Sequence, residues 1–428
     1  MPPVVFSGGP RAGPLLAAPE TLSVKKTLTL LTCLLISGVA LAQASHLIEL
    51  GQKASKLRQL SYVPVPSKVV SQQECSAYLL RLLDKEMVPS RTRVRESFLK
   101  HLGLMPKTSS MKKILADLYT DQVRGLYDPA QKRYLVVSGG GTSEAEASVG
   151  GMAAGMGLNM GDILTVHELC HAIQDQHFNL STISESVAAN ADQEMAADSL
   201  IEGDATVLMM DYAMSSLGVD PSVLGGALPG MDMEQMMMGQ GGAVARAPHY
   251  FQSAIGFPYS GGMAFVSALK RRGGWATVNR AFASLPESTE QILHPEKYGV
   301  DHPKPVTEPA PPRGATALGS DTAGEFEIRQ WARENSLGDA SATGWGGDRY
   351  AVYDAGGTTF VVWATTWDNE TAAMRFEAMA KKALAKGRGP MAQEAGSSVW
   401  TQGALVTRCA REGPNVTLWI DAPAAMSS

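Results

Sequence analysis

Hydrophobic and polar positions along this chain change period several times, and each change marks an element. Val69 to Val88 places Ala77, Leu79, Leu80, Leu82, Leu83 and Met87 at helical spacing. Val94 to Leu102 and Met111 to Val123 predict two shorter helices. In Gly125 to Val137 the signal switches: Asp128-Pro129 starts a turn, and Tyr134 to Val137 reads as a strand, either one whose edge is suited to binding an extended peptide or an ordinary core strand, which the sequence does not separate. Gly139 to Gly161 is glycine-rich and aperiodic, a loop feeding the next helix. From Leu164 to Phe178 neither proline nor glycine interrupts a helical pattern, with Asp162 as candidate N-cap. Ser186 to Tyr212 is rich in alanine, leucine and methionine and predicts a second long helix, with Gly203 as its weak point.

Gly218 to Pro248 keeps neither period; a mobile loop or cleft lid competes with plain methionine-rich packing material. Pro258 is read as the start of a helix carrying Met263, Phe265, Val266 and Leu269 and ending at Gly273-Gly274. Ser288 to Gln291 reads as a capped helix start. After a proline-rich stretch come a helix at Thr322 to Glu334, a turn at Gly344 to Tyr350 leading into Ala351 to Tyr353, a strand at Thr358 to Thr365, a helix at Asn369 to Ala385, and strands at Ser398 to Thr407 and Asn415 to Ile420.

The class is therefore α+β. Residues 1–44 form an extension plus signal peptide, 45–124 a helical region, 125–299 a core with a small edge-strand sheet, 300–312 a linker and 313–428 a smaller α+β domain. A chain of 428 residues has ample material for such a division. A net charge of -5 gives no electrostatic case for nucleic acid.

Lys25-Lys26, the apolar run Leu28 to Ala42 and Ala40-Leu41-Ala42 have the layout of an export signal, with Ala42-Gln43-Ala44 as a second cleavage option. Residues 1–23, rich in proline and glycine with Glu20, do not suit such a signal; an early start assignment, with Val24 as initiator, accounts for them. The run is short and interrupted for a membrane span, so no stable transmembrane anchor is expected after cleavage, and the location is periplasmic or extracellular. Cys33 goes with the signal. Of the remaining Cys75, Cys170 and Cys409, the first and last either pair or stay free.

The chemistry centres on H-E-L-C-H. His167 and His171, at i and i+4, share a helix face and can reach one metal ion, and Glu168 is placed to take a proton from metal-bound water. A chance match with packed or solvated histidines is the competing reading. Two histidines and one carboxylate leave a fourth zinc position open for water. Glu202 is the third-ligand candidate, with Glu194 and Asp198 as rivals. Asp198, one turn before Glu202, is suited to orient a ligand imidazole. The bland alternative is a solvated acidic face. Cys170 lies about 100° around the helix from His171 and His177 about 240°, so both are read as structural. Arg349 is read as an ion-pair residue rather than a substrate-carboxylate site.

On these motifs the chain resembles the gluzincins, zinc metallopeptidases with H-E-x-x-H on one helix and a glutamate on a second. It also resembles a poorly characterised bacterial gluzincin-like family with H-E-L-x-H-A-x-Q-D-Q-H-F and E-G-D-A, roughly over Leu118 to Tyr298. The resemblance implies one catalytic zinc held by His167, His171 and Glu202, with Glu168 activating water. Glu202 follows His171 by 31 positions, a longer interval than in thermolysin-like enzymes. Pro258-Tyr259 and Gly262 resemble the P-Y-x-x-G helix of aminopeptidase-type gluzincins, which implies that Tyr259 stabilises the tetrahedral intermediate; a core tyrosine is the alternative. The likeness extends over Pro286 to Tyr298, where His294 is the second candidate donor, or a cap of its own helix. The expected activity is hydrolysis of a peptide or protein substrate; a weakly catalytic binding protein and a zinc hydrolase of other amides are the alternatives.

The export reading has a direct check. N-terminal sequencing of the protein from its native cell should begin at Gln43 or Ser45, and a mature chain that keeps residues 1–23 would refute it.

Overall fold

The computed structural model describes residues 44–122, 125–138, 151, 153–220 and 242–426. The signal segment and most of the glycine- and methionine-rich stretch read as a loop or lid lie outside the described residues. A mainly helical N-terminal region with a small mixed sheet is followed by a C-terminal α/β unit.

The first helix, Ala44–Arg58, buries Leu47, Leu50 and Ala54 along one stripe. Strand β1 (Ser67–Ser71) follows, so the helix expected from Val69 begins only at Gln72. Ser71 and Glu74 form a reciprocal capping box that fixes this start, which outweighs the continuous apolar pattern. Helices Pro89–Leu102 and Met111–Gln122 come next. The hairpin of β2 (Gly125–Asp128) and β3 (Arg133–Ser138) turns on Asp128, whose Oδ1 accepts from the Ala130 and Gln131 amides at 2.9 and 3.1 Å.

The sheet order is β1-β3-β2, with β1 parallel and β2 antiparallel to β3. Tyr134 to Val137 is therefore the central strand, the core alternative rather than the edge; β1 arrives from 67 residues upstream, a pairing with no local signature. The edges are β1 and β2.

Three helices build the centre: the motif helix Met160–Phe178, the ligand helix Ala191–Ser216 and the long helix His249–Ala283. The ligand helix starts at Ala191, capped by Asn190, because a separate short helix, Leu180–Val187, occupies the preceding residues. Pro258 lies inside the long helix rather than at its start; proline costs one ladder hydrogen bond there, and burial on both sides keeps the helix together. The helix breaks at Gly273 and Gly274, and Gly274 sits at φ 63°, a conformation that favours glycine.

The ligand helix and long helix meet at backbone distance. A Cβ on Gly203 would lie 2.2 Å from the Gly262 carbonyl carbon, and one on Gly262 would lie 2.0 Å from the Ser199 carbonyl oxygen. Only glycines permit this approach.

The C-terminal sheet has seven strands in the order β4-β5-β6-β10-β9-β8-β7, with β4 (Thr316–Asp321), β5 (Trp345–Ala355), β6 (Thr358–Trp367), β7 (Met391–Glu394), β8 (Ser397–Gln402), β9 (Leu405–Glu412) and β10 (Asn415–Pro423). All its pairings are antiparallel. Gly344 to Tyr350, expected as a turn, mostly belongs to β5, and Ser398 to Thr407 splits into β8 and β9 around Gly403 at φ 62°. Helices Gly324–Glu334 and Glu370–Ala385 cover the sheet.

The two regions share one continuous core. Phe98 stacks on Tyr350 at 3.7 Å and meets Trp363 edge-on. The proline-rich linker follows the C-terminal unit: the Lys304 amide donates to Gly346 O at 2.6 Å, and Tyr353 donates to Pro309 O. Cys75, Cys170 and Cys409 are free and buried, so the Cys75–Cys409 pairing does not occur.

The glycine crossing predicts that Gly203→Ala or Gly262→Ala destabilises the protein by about 1–3 kcal/mol or more through forced separation of the helices. Gly155→Ala, where a Cβ meets nothing within 4 Å, should be near neutral. Chemical denaturation of the three variants measures the difference.

Candidate metal centre

The motif helix is capped by Asn159, whose side chain accepts from the Gly161 and Asp162 amides; Asp162 is thus in the first turn, bonded to His46, rather than the cap. Every residue from Val166 to Asp175 is buried. A helix apolar or enclosed on all sides belongs to an interior, and its polar residues need partners there.

His167 and His171 lie T-shaped with ring centroids 4.8 Å apart. Their Nε2 atoms are separated by 3.1 Å, and Glu202 Oε2 stands 3.2 Å from His167 Nε2 and 3.6 Å from His171 Nε2. A tetrahedral site with ligand bonds of about 2.0–2.2 Å has edges of about 3.3–3.6 Å. The three observed edges fall close to that range, so the donor set fits zinc. Glu194 and Asp198, the rival ligands, are buried on the same helix but lie outside this three-residue cluster.

Sequence reasoning missed Gln174. Its Nε2 donates to Ile201 O at 2.9 Å and to Asp204 Oδ2 at 2.8 Å, both acceptors. Its Oε1 must therefore face His171 Nδ1, 2.9 Å away, and accept a hydrogen bond from it. That fixes the proton on Nδ1 and leaves Nε2 as the metal donor. Asp198 was expected to orient an imidazole; for His171 Gln174 does so. Asp204 also accepts from Arg58 Nε at 2.7 Å. Gln174 stands within the quoted motif, but its role needs Ile201 and Asp204 from the next helix, which sequence spacing does not reveal.

Glu168 points elsewhere. Its Oε2 accepts from the Tyr127 amide of β2 at 2.8 Å. Burial pushes its carboxyl above the usual range, while both histidines and the Tyr127 amide pull it back. Tyr259 is buried, its ring centroid 6.1 Å from that of His167. His294 caps its own helix, Thr289–Leu293, and its Nε2 lies 3.1 Å from both Glu325 Oε1 and Arg329 Nη2, in contact with the C-terminal unit. His177 hydrogen-bonds Ser61 O at 2.8 Å, and Cys170 Sγ lies 3.9 Å from Asp204 Oδ2, structural positions for both. Arg349 donates to Ser320 and approaches Glu308 of the linker at 4.0 Å.

A second acidic trio, Glu290, Asp301 and Asp368, also has converging oxygens. There the Lys297 ammonium donates to all three, at 2.6, 2.8 and 3.0 Å, and occupies the cation position.

Purified protein should carry about one zinc per chain, lost in His171→Ala. Burial disfavours the His171 imidazolium, but Glu202 overrides this and raises its pKa to about 9. Below pH 9 the metal-free site thus holds a proton that metal must displace. Zinc affinity should rise about tenfold per pH unit between pH 7 and 9 and then level off. Calorimetry in buffers of different ionisation enthalpy should detect about one proton released per zinc at pH 7.

The model of a domain of unknown function, DUF8575, matches residues 313–427, which is the C-terminal unit and leaves the metal centre outside. No curated protein matches the chain. No solved structure matches it either.

Proposed function

We propose that this chain is an exported zinc metallopeptidase whose metal is held by His167, His171 and Glu202. The observation that carries the reading is the buried triad at near-tetrahedral spacing, with Glu168 on the same helix between the two histidines and outside the ligand cluster. A purely structural zinc has no use for such a base. A zinc ion held by His167, His171 and Glu202 would supply Lewis acidity and lower the pKa of a water toward about 7.

Glu168 would act as the base that accepts a proton from the attacking water and passes it to the leaving amine. Its burial suits the work, since a carboxyl raised above its ordinary range is a better proton carrier near neutral pH. The Tyr127 amide holds it against β2. Tyr259 donates to the carbonyl oxygen as negative charge builds there. Its seat beside His167 favours it over His294, which is engaged with Glu325 and Arg329.

Peptides remain the favoured substrate class, on a different strand from the one the sequence suggested. In the antiparallel pair Tyr127 stands opposite Tyr134, yet its amide turns away from β3 to Glu168. The outer edge of β2 therefore faces the motif helix, where an extended substrate strand would align. A cavity of about 90 Å³, lined by Arg91, Arg95, Glu194, Met195, Phe251 and Ile255 among others, lies toward the start of the ligand helix and is not lined by His167, His171, Glu202 or Tyr259. Among the described residues no helix is long and apolar enough to cross a membrane.

A digest of a proteome-derived peptide library by wild-type, chelated and Glu168→Gln protein tests the reading. Wild type should cleave, and the other two should not, although Glu168→Gln keeps its zinc. Cleavage that survives chelation would end the proposal. Tyr259→Phe should lower kcat about 10²–10³-fold with little change in KM. His294→Ala should be mild; the reverse pattern would move the oxyanion role to His294.

A further inference from the structure

Arg58 is the last residue of the first helix and is wholly buried. It continues the stripe of Leu47, Leu50 and Ala54, four residues after Ala54, where an apolar side chain would suffice for packing. A buried guanidinium is costly unless its charge and donors are matched. Its Nε donates to Asp204 Oδ1 at 2.7 Å, its Nη1 to Asn279 Oδ1 at 2.8 Å, and its plane lies 4.4 Å from the Trp275 ring centroid.

The Asp204 carboxylate passes this constraint on. With Oδ1 fixed by Arg58, Oδ2 receives Gln174 Nε2 at 2.8 Å, and Gln174 Oε1 then receives His171 Nδ1 at 2.9 Å. We propose that Arg58 is a positioning residue for the ligand His171, acting through Asp204 and Gln174, so that the first helix is part of the metal centre. The proposal rests on the metal-binding part of the functional reading and does not depend on what the enzyme cleaves.

Arg58 fixes the orientation of the Asp204 carboxylate, so that the oxygen not bonded to the guanidinium faces Gln174. Without this pair the Gln174 amide loses one of the two acceptors that orient it. A turned amide would present N–H to His171 Nδ1 and force the proton onto Nε2, the atom that must face the ion. A mere staple between helices would have no such effect on the ligand.

The test replaces both charges at once, Arg58→Met with Asp204→Leu, since apolar side chains of similar size often substitute for a buried ion pair without loss of stability. Zinc affinity is measured by chelator competition, and the ligand field by the visible spectrum of the cobalt-substituted protein. A folded double variant should bind zinc roughly 10–100-fold more weakly and show shifted cobalt bands. If the double variant does not fold, Arg58→Lys takes its place: it keeps the charge but lacks the two-pronged contact, and should show the same changes in smaller measure. Unchanged affinity and spectrum in the folded variant would overturn the proposal and leave the peptidase reading standing. A wild-type protein that binds no zinc would overturn both.

Discussion

Two helices can come into backbone contact only where neither carries a Cβ, and here that condition is met at Gly203 and Gly262. The crossing lies between Glu202 and Asp204, so it fixes two neighbouring carboxylates at once. Successive residues on a helix point about 100° apart. Glu202 turns to the histidines, Gly203 to the long helix, and Asp204 to Gln174 and Arg58. The same contact brings the long helix close enough for Tyr259 to approach His167. A shift of either helix would therefore disturb the ligand, its support and the candidate oxyanion donor together.

This explains which parts of the site were legible in the sequence. The i, i+4 histidines are a local relation, fixed by helix geometry wherever the helix goes, and E-G-D-A marks a second crowded point. Gln174, Asp175, Gln176, His177 and Phe178 read as one continuous motif, yet each answers to a different part of the fold. Gln174 holds His171, Asp175 accepts from Tyr127 and Lys132, Gln176 bonds both backbone groups of Val63, His177 meets Ser61 O, and Phe178 stacks on Phe282. Those partners lie up to 116 positions away, and no period or spacing names them. The edge-strand assignment failed for the same reason. A short apolar run such as Tyr134 to Val137 shows that a strand forms, not which neighbours flank it, and β1 supplied one of those from upstream of three helices.

The C-terminal unit was legible as α+β from its alternating strands and turn glycines, but its strand count was not, since short tight hairpins such as the β8–β9 turn leave little gap in the apolar pattern. Its interior is organised around a buried carboxylate rather than a catalytic cluster. Asp348 accepts from the indoles of Trp345 and Trp363 and from the Ala323 and Gly324 amides at the start of helix Gly324–Glu334. That helix in turn carries Glu325 against His294 and Glu327 against Arg95 and Tyr250. The unit thereby braces the elements behind the long helix, a supporting role consistent with the lack of ligand-type clusters within it among the described residues.

Electrostatic balance separates a metal site from a mere gathering of acids. At Glu290, Asp301 and Asp368 the carboxylates face a lysine that answers their charge and lies partly open to solvent. At His167, His171 and Glu202 no lysine or arginine among the described residues forms an ion pair with the set, and the Arg58–Asp204 pair beyond Gln174 is already matched within itself. Two carboxylates, Glu168 and Glu202, share this enclosed space with two imidazoles. In the absence of an ion the deficit falls on His171, which holds its proton up to about pH 9 against the desolvation that would strip it. A dication meets the same deficit with the imidazoles neutral, which is the state Gln174 already prepares by keeping the His171 proton on Nδ1. The charge of the site and the hydrogen bond that holds the His171 proton on Nδ1 both suit a divalent ion.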